Sequence, residues 1–595
     1  MTIPEKLQQL RAAMADQKID AYLIPSADPH QSEYVADHWK GRQWISGFTG
    51  SAGLVVVTAG HAGLWTDSRY FLQAESQLAG TGIQLQKQKV PHAPEHIDWL
   101  AENLLAGARV GIDGRLFSIG QVRHLQRALE RKGIQLQIDL DLLSGIWTDQ
   151  PPLPPAEVFE HELRYAGRSR GEKLREVGQK MATRGVDGYL ITTLDDIAWL
   201  LNLRGQDVEC NPVFYSFLFL EPGGGRLFVE EKKVPAGLRT NLQAAGIELQ
   251  AYATVGDFLQ ALPAGKKVLI DPASANAEIY AQLSHAALQE GDNIVLPLKA
   301  IKNETEIGHI REVMVKDGVA LLKLYRWLEA TLQERSVPEA EVAERLDQFR
   351  REQGDYFGES FSAIVGYNAN GAIIHYRPEY GSCADIRPEG ILLLDSGGQY
   401  LNGTTDITRT TALSPPTAEQ KQHFTLVLKG HITLAMARFP VGVNGMQLDA
   451  FARMHLWNAC LNFGHGTGHG VGFFLNVHEP PQGFAASNAT SRGTTAFAPG
   501  MFTSNEPGFY LTGQYGIRIE NLVLCREAGE TEFGKFLEFE TTTLFPIDRQ
   551  LIEVSMLTTD ERQWLNDYHR EVYERLSPQL DERERQWLAE RCGEI

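Results

Sequence analysis

Cysteine and long apolar runs are both scarce in this sequence, and each scarcity excludes a class of protein. The five cysteines are scattered, odd in number and without CxxC spacing, which disfavours a disulfide framework and a structural zinc site. No run of 18 apolar residues is present, so we expect no transmembrane helix. The N-terminal residues are charged and amphipathic and lack the apolar core of a signal peptide. We therefore expect a cytoplasmic protein.

Basic charge is also in short supply. The chain has 75 acidic and 56 basic residues, which gives a formal net charge of −19. Such a charge disfavours nucleic acid and anionic membranes as main partners. An apolar fraction of 43% is ordinary for a globular protein, and 595 residues are too many for one hydrophobic core. We expect about three or four domains.

An amphipathic helix and strand near the N-terminus recur further along the chain. Residues 5–24 align without gaps to residues 172–191, with nine of the twenty positions identical. WISGFTG at 44–50 and WLLNLRG at 199–205 follow in the two copies, and each precedes an apolar strand. The repetition predicts two tandem α/β domains of one design. A chance likeness between amphipathic helix-strand units is the alternative.

Two further patterns mark the borders of these domains. A proline-rich stretch at 148–162 has no periodicity and is typical of an extended, exposed linker. Asn303 and Glu306 form a capping-box pattern ahead of a long helix with apolar periodicity. The mixture of strands and helices places the chain in the α/β (α+β) class. The borders give three predicted domains: 1–155, 156–302 and 303–595.

Acidic residues and one histidine lie within apolar or glycine-rich segments of the third domain, where buried strands are expected. Carboxylates are rarely buried unless they are paired or bind a metal. Four carboxylates and an imidazole on neighbouring core strands would repel one another unless cations lay between them. The composition is that of an oxygen-rich site for two metal ions. The candidate ligands are Asp395, Asp406, His469, Glu506 and Glu520.

The geometry of the first two ligands can be tested from the sequence. The Asn-Gly pair at 402–403 is typical of a two-residue hairpin turn, which would pair Gln399 with Asp406. Asp395 would then share a face with Asp406 but lie about 13 Å away at ~3.3 Å per residue. Both carboxylates could serve one metal pair only if the hairpin bends or bulges. The Gly-Gly pair at 397–398 is the expected place.

The motifs around these residues resemble the "pita-bread" metallopeptidases, which include methionine aminopeptidase, prolidase and aminopeptidase P. HGTGHGVG, VHEPP, NEPG and GIRIEN match the blocks of that family, and the two Asp ligands are eleven residues apart as the family requires. Upstream, IPSADPHQSEY, FTGSAG and WTDSRYFLQA resemble the long, three-domain, cytosolic aminopeptidases P. The resemblance covers the whole chain. It implies two creatinase-like N-terminal domains followed by a pita-bread catalytic domain.

The resemblance also implies a role for each ligand. Asp395 would be a terminal ligand of one metal ion, His469 and Glu506 would bind the other, and Asp406 and Glu520 would bridge the two. The cofactor would be two divalent ions, with Mn²⁺ favoured by carboxylate-rich ligation.

Further side chains match family positions outside the ligand set. His375, His465 and His478 would be catalytic and would contact the scissile carbonyl, the leaving amine and the tetrahedral intermediate. Tyr510 and Arg518 would bind substrate. Arg518 would orient a ligand carboxylate or line the subsite after the cleaved bond, and a salt bridge to Glu520 on the same strand is its structural alternative. The role of Arg69 stays open between contact with the peptide and a bond to a neighbouring carboxylate.

The function implied is release of the N-terminal residue from peptides with proline at position 2, by a hydroxide that two metal ions share. Glu506 would carry the proton to the departing proline nitrogen. The partners would be such peptides and a second copy of the chain. The dimer is suggested by family precedent and by an apolar stripe on the charged tail helix at 558–591, which should pack on the body or on a partner chain: Trp564, Leu565, Tyr568, Val572 and Leu576.

Rival functions remain within and outside this family. A methionine aminopeptidase would not need two N-terminal domains, and a prolidase, which cleaves dipeptides, typically has one. Creatinase-like hydrolases lack the full ligand set. A non-catalytic module that binds peptides would have lost metal ligands, whereas all five are present here.

Overall fold

The computed structural model describes residues 1–89, 93–486 and 491–595. The chain forms two compact units. The first comprises residues 1–163 and 168–296, and the second comprises residues 164–167 and 297–595. Within the described ranges, no helix combines the length and the apolar character that crossing a membrane requires.

The first unit contains the two copies that the repeat predicted. The strands and helices of the first copy are β1 (Ala21–Pro25), β2 (Leu54–Thr58), β3 (Ala62–Thr66), β4 (Gln84–Lys87), β5 (Arg109–Gly111), β6 (Gln135–Gln137), α1 (Ile3–Asp16), α2 (Gly41–Ser46), α3 (Phe71–Gln77), α4 (Glu95–Asn103) and α5 (Ile119–Glu130). Those of the linker and second copy are β7 (Phe159–Glu160), β8 (Gly188–Ile191), β9 (Leu203–Arg204), β10 (Ser216–Glu221), β11 (Gly224–Val229), β12 (Ile247–Ala251), β13 (Lys267–Ile270), β14 (Ala287–Glu290), α7 (Arg170–Arg184), α8 (Leu194–Leu201), α9 (Ala236–Ala244), α10 (Val255–Gln260) and α11 (Ala277–Gln282). Two short helices, α6 (Leu163–Ala166) and α12 (Val295–Ala300), begin in the first unit and have most of their residues in the second.

The sheets of the two copies have one topology. The first has the order β4-β3-β2-β1-β5-β6 and the second has the order β12-β11-β10-β8-β13-β14. In each sheet the first strand of the copy pairs antiparallel on one side and parallel on the other. The predicted tandem duplication is therefore confirmed at the level of fold.

One Lys–Trp contact is repeated along with the topology. Lys6 Nζ donates to the carbonyl of Trp44 at 2.8 Å and lies 4.6 Å from the centre of its ring. Lys173 Nζ donates to the carbonyl of Trp199 at 2.9 Å and lies 4.1 Å from that ring. The two Lys residues are aligned in the sequence repeat, and both helices begin with a capping box. The contact joins the first helix of each copy to its Trp-bearing segment.

Hydrogen bonds join the two copies within the first unit. The ring of His30, in the first copy, lies between two groups of the second. Its Nδ1 faces the carbonyl of Thr192 at 2.7 Å and its Nε2 faces the hydroxyl of Tyr252 at 2.8 Å. Asn276 donates to the carbonyl of Pro29 at 2.7 Å. Because these groups are buried and partnered, the interface between the copies is specific and polar.

The second unit carries the candidate site. Its strands and helices are β15 (Val337–Pro338), β16 (Tyr356–Tyr367), β17 (Asp385–Ile386), β18 (Ile391–Tyr400), β19 (Gly403–Thr404), β20 (Ile407–Ala412), β21 (Phe439–Pro440), β22 (Gly468–Gly470), β23 (Glu479–Phe484), β24 (Phe502–Asn505), β25 (Gly508–Leu511), β26 (Tyr515–Arg518), β27 (Asn521–Thr531), β28 (Gly534–Thr541), α13 (Glu304–Leu332), α14 (Glu339–Arg351), α15 (Ala418–Ala435), α16 (Gly445–Asn458), α17 (Ser491–Thr494), α18 (Thr559–Leu576) and α19 (Glu582–Arg591). The predicted capping box of Asn303 and Glu306 opens α13.

Two sheets of the second unit hold the site. In one, β18 pairs with β16, β19 and β20. The other has the order β21-β28-β27-β24-β22-β23. The apolar stripe of the tail helix α18 is part of the same core, so of the two predicted places it occupies the body of the protein. Helix α18 thereby braces the strands from which the site is built.

Candidate metal centre

The five candidate ligands lie on neighbouring strands of the two sheets or at their ends. Asp395 is on β18 and Asp406 lies between β19 and β20. His469 is on β22, Glu506 follows β24, and Glu520 lies between β26 and β27. One ligand atom from each of Asp406, His469 and Glu520 lies within 4.8 Å of the others.

The hairpin that carries the two Asp residues differs from the predicted one. Its turn is formed by residues 401–402, with Tyr400 opposite Gly403, so the predicted register is wrong. A Cβ on Gly403 would lie 2.9 Å from Val313, which shows that this glycine permits close packing against α13. The same register places Asp406 opposite position 397, two residues from Asp395, or about 7 Å along the strand. The predicted turn had placed the two Asp residues about twice as far apart along the strand.

The predicted irregularity at the Gly-Gly pair is present, and it lies in the strands that flank β18. The strand that faces it is interrupted between β19 and β20, and β16 shifts register opposite the pair. A Cβ on Gly397 would lie 2.0 Å from the carbonyl of Thr405 and 2.1 Å from the hydroxyl of Ser360. Only glycine permits this approach, which places Asp406 at the break.

The ring of His469 is oriented for a metal ion. Its Nδ1 donates to the carbonyl of Gly470 at 2.9 Å, so Nε2 is the ring nitrogen that carries a lone pair and faces the carboxylates. Nε2 lies 3.4 Å from Asp406 Oδ2 and 3.5 Å from Glu506 Oε1. The hydroxyl of Ser504 holds both neighbours, because it accepts from the backbone N–H of His469 and donates to Glu506.

Among the described residues, two carboxylate oxygens of the cluster find no hydrogen-bond donor. Asp395 Oδ1 and Glu520 Oε1 are buried and unpartnered, whereas the second oxygen of each is held by the protein. Thr408 donates to Glu520 Oε2 at 2.8 Å. Buried carboxylate oxygens need a donor or a cation. The donor set of one imidazole and four carboxylates therefore fits a site for divalent ions.

The charges of the cluster oppose ionisation. Burial raises the pKa of Asp406, and the neighbouring charge of Asp395 raises it further. Burial raises the pKa of Glu506 to about 7. Burial, followed by the charge of Asp406, raises the pKa of Glu520. Divalent cations would relieve this repulsion and favour the carboxylate forms.

Arg518 binds the carboxylate of Asp395 and not that of Glu520, its near neighbour in sequence. Its Nη2 donates to Asp395 Oδ2 at 2.6 Å, and its Nη1 donates to the hydroxyl of Tyr510 at 2.6 Å. Strand β26 ends at Arg518, and Glu520 lies beyond it. The expectation that the two share a strand is therefore wrong. Arg518 is 1% exposed and orients Asp395.

The three further histidines lie around this cluster. The ring of His478 packs edge-on against His469 at 4.2 Å. His465 Nε2 lies 2.9 Å from the hydroxyl of Tyr510, which completes a chain of contacts from Asp395 through Arg518 and Tyr510 to His465. His375 follows Ile374, whose carbonyl accepts from Arg518 Nη2 at 3.4 Å.

Thr408 and Ser504 are site residues that the sequence did not predict. The hydroxyl of Thr408, two residues from Asp406, holds Glu520, and the hydroxyl of Ser504 holds Glu506, which lies two residues further along the chain. Alternation along a strand was the available signal. In the first unit, Arg69 forms a bidentate ion pair with Asp67 at 2.8 and 2.7 Å, so the neighbouring-carboxylate alternative describes its observed contact.

Family models match nearly the whole chain. The Creatinase/Prolidase N-terminal domain matches twice, at residues 6–140 and 149–306. Metallopeptidase family M24 matches residues 308–527, and the C-terminal region of peptidase M24 matches residues 535–595. The two matches to one N-terminal domain agree with the duplication seen in the sheets.

Curated relatives are similar over their full lengths. Xaa-Pro aminopeptidase 1 of Dictyostelium discoideum is 42% identical over 99% of this chain and 96% of its own. Aminopeptidase P2 of Arabidopsis thaliana is 41% identical over 99% of this chain and 88% of its own.

A solved structure extends the likeness to three dimensions. The X-prolyl aminopeptidase of Caenorhabditis elegans, described as a cytosolic enzyme with a di-nuclear active site, matches with a TM-score of 0.95 at 34% identity over 100% of both chains. The fold, the carboxylate cluster and the full-length relatives agree. The chain belongs to metallopeptidase family M24, in the branch formed by the Xaa-Pro aminopeptidases.

Proposed function

We propose that this protein is an aminopeptidase that removes the N-terminal residue from peptides with proline at position 2. The observation that carries the proposal is the convergence of Asp406, His469 and Glu520 within 4.8 Å, beside two buried oxygens that lack a donor. The full-length likeness to Xaa-Pro aminopeptidases supplies the substrate class.

Two divalent metal ions would be held by this cluster, with Mn²⁺ preferred because the donors are mostly carboxylates. Asp395 would be a terminal ligand of one ion, and His469 with Glu506 would bind the other. Asp406 and Glu520 would bridge them. When bound, such a pair lowers the pKa of water and polarises the scissile carbonyl.

The protein's own groups position the peptide and move its protons. Asp395, fixed by Arg518, would anchor the free α-amine of the first residue. Glu506 would carry a proton to the departing proline nitrogen, and the rise in its pKa on burial suits that task. His465 and His478 would donate to the substrate carbonyl groups, with His375 beside them.

Hydrolysis of peptides of defined sequence tests the proposal. Purified, Mn²⁺-loaded protein is incubated with Arg-Pro-Pro peptides, the same peptides acetylated, Xaa-Ala controls, Met-Ala-Ser and Xaa-Pro dipeptides, and the products are read by mass. We expect loss of the first residue from unblocked Xaa-Pro peptides alone. Preference for dipeptides would indicate a prolidase, and cleavage of acetylated peptides would contradict the amine anchor.

Metal dependence is tested on the same protein. Chelated protein should be inactive, and activity should return best with Mn²⁺, because the buried carboxylates need cations to stay ionised. Elemental analysis gives the metal content of each sample. Full activity in protein shown to be free of metal would contradict the proposed mechanism.

We also propose a cytosolic homodimer, as the family precedent suggests. The tail stripe is covered by the body and cannot serve as the interface. Helix α16 instead exposes an apolar face of Phe451, Met454 and Trp457, which are 39, 42 and 47% exposed. Exposed apolar side chains grouped on one face are typical of protein contacts. Light scattering of the wild type and of Met454→Lys measures the mass; a monomeric wild type would contradict the dimer.

A further inference from the structure

A buried histidine outside the ligand set lies between the segments that carry the two glutamates. His431, on α15, is fully buried. Asn505 immediately precedes Glu506 and Asn521 immediately follows Glu520, and the two Asn residues face each other in the pairing of β24 with β27. His431 contacts both of them: it touches the backbone carbonyl of the residue before Glu506 and the side-chain amide of the residue after Glu520.

Three hydrogen bonds make this contact. The Nδ1 atom of His431 lies 3.1 Å from the carbonyl oxygen of Asn505. The carbonyl of His431 accepts from Asn505 Nδ2 at 2.9 Å. On the other side of the ring, Nε2 lies 3.1 Å from Asn521 Nδ2. The imidazole thus joins the neighbouring strands β24 and β27 next to the positions of Glu506 and Glu520.

The direction of each bond follows from a neighbouring arginine. Arg409 Nη2 donates to Asn521 Oδ1 at 2.8 Å, so the amide group of Asn521 must turn its Nδ2 towards His431. An amide nitrogen can only donate, so Nε2 of His431 accepts. Nδ1 then carries the proton and donates to Asn505. Every polar atom of the ring is satisfied by the neutral form.

The same arginine extends the bridge to the backbone of a proposed ligand. Arg409 Nη1 donates to the carbonyl of Glu520 at 2.7 Å. The hydroxyl of Tyr568, on the tail helix α18, accepts from Arg409 Nη2 at 2.8 Å. The charged guanidinium of Arg409 is thereby fixed between the tail helix and Glu520, and it sets the orientation of the Asn521 amide. Burial lowers the pKa of His431 to about 3, in agreement with a neutral ring.

We propose that His431 is a positioning residue, which holds the segments of Glu506 and Glu520 at the spacing that two metal ions require. The inference rests on the proposed function, since it assigns His431 to the same site. Hydrogen-bond partners of metal ligands fix their orientation, and their loss weakens metal binding by about 10- to 100-fold. His431 acts one step further out, through Asn505 and Asn521, the chain neighbours of two proposed ligands.

Calorimetric titration of the full-length, metal-free protein with Mn²⁺ tests this role. We expect His431→Leu to raise the Kd for Mn²⁺ by about 10-fold or more. His569→Leu is the matched control. His569 is also a fully buried imidazole, with its Nε2 accepting from the N–H of Ile547 at 3.1 Å, but it touches neither glutamate segment. It should lower the melting temperature and leave the Kd unchanged.

A conservative variant keeps the test decisive if His431→Leu does not fold. The amide of His431→Asn can place a donor near the position of Nδ1 and restore the bond to Asn505. Its Kd should lie between those of the wild type and His431→Leu. A wild-type Kd in His431→Asn and His431→Leu, with two ions bound to the wild type, would overturn the positioning role alone. Failure of the wild type to bind Mn²⁺ would overturn the proposed function as well.

Discussion

At the scale of single residues, the proposed ligands differ in how many ions each would serve. Asp406 and Glu520 would bridge both ions, whereas His375 would only contact the substrate. We expect Asp406→Ala or Glu520→Ala to abolish activity and reduce bound metal, because each removes a bond from both ions. His375→Ala should lower kcat by about 100-fold and retain the metal. Steady-state kinetics with elemental analysis checks this, and equal metal content in Asp406→Ala and His375→Ala would contradict it.

The close approach at Gly397 gives a second prediction at this scale. An alanine there would place its Cβ 2.0 Å from the carbonyl of Thr405, so the strand bearing Asp406 must move. We expect Gly397→Ala to cost about 3 kcal/mol or more of unfolding free energy. Gly358→Ala, in the adjacent strand β16, meets no atom within 4 Å and is the matched control. Urea unfolding of both variants measures the difference, and similar losses would contradict the steric argument.

Buried His569 predicts the sign of a pH effect. Burial lowers its pKa from 6.5 to about 3 in the folded protein. Below the unfolded value, the unfolded chain binds a proton that the folded chain does not, so stability is lost as pH falls from 6.5 towards 3. The slope is about 1.4 kcal/mol per pH unit. The stability gap between the wild type and His569→Leu should narrow by that amount per unit in this window. Urea unfolding at several pH values measures the gap; a constant gap would contradict the prediction.

At the scale of elements, the repeated Lys–Trp contact is unequal in the two copies. Lys173 is 1% exposed and also donates to Asn202 at 2.8 Å, whereas Lys6 is half-buried. Removal of the Lys173 side chain leaves two buried acceptors without their donor. We therefore expect Lys173→Ala to lower the unfolding free energy by about 3 kcal/mol and Lys6→Ala to lower it by about 1 kcal/mol. Chemical unfolding followed by circular dichroism compares them. Equal losses would show that burial does not decide the strength of the contact.

Elements whose signals are local could be predicted from the sequence. The capping box at Asn303 and the helix α1 follow from residues close together in the chain, and the duplication follows from one local pattern that occurs twice. The hairpin turn could not, because Gly403 lies outside the turn, with a φ of +151° and a close approach to Val313 on a distant helix. The turn preference of the Asn-Gly pair was overridden by packing against a residue that is distant in sequence, which local patterns do not show.

The candidate site shows the same limit. Its ligand types and order could be predicted, since buried carboxylates in strand-like segments are unusual on their own. The partner of Arg518 could not, because Asp395 lies on another strand and far away in sequence. The bridge through His431 was equally hidden, since His431 lies in an apolar helix and its partners are Asn residues of two distant strands.

At the scale of the whole molecule, a short segment belongs to the second unit although in sequence it lies between the two parts of the first. Residues 164–167 contact that unit through Tyr165, which lies in its core, and through the carbonyl of Ala166, which accepts from Asn303 at 3.0 Å. The predicted borders near 155 and 302 stay a prediction. They do not account for residues 164–167, which follow the first border but belong to the second unit.

This segment predicts the behaviour of fragments. A fragment of residues 297–595 contains every proposed ligand but leaves the site of Tyr165 empty. The same fragment with residues 164–167 attached through a flexible linker should be more stable by about 3 kcal/mol, as expected for a large core side chain. Thermal unfolding compares the two, with Tyr165→Ala in the linked fragment as control. Equal stability of all three would show that the segment contributes nothing.

The hydrogen bond from Arg409 to Tyr568 also has a consequence for the order of events during synthesis. Every proposed ligand is translated before Tyr568, since the last of them is Glu520. A nascent chain therefore carries the complete set of ligands while Arg409 still lacks its tail-helix contact. Ribosome-bound chains that stop short of this residue lack the hydrogen bond from Arg409 to Tyr568. The centre is thus completed by a residue that follows all of its own ligands in the order of translation.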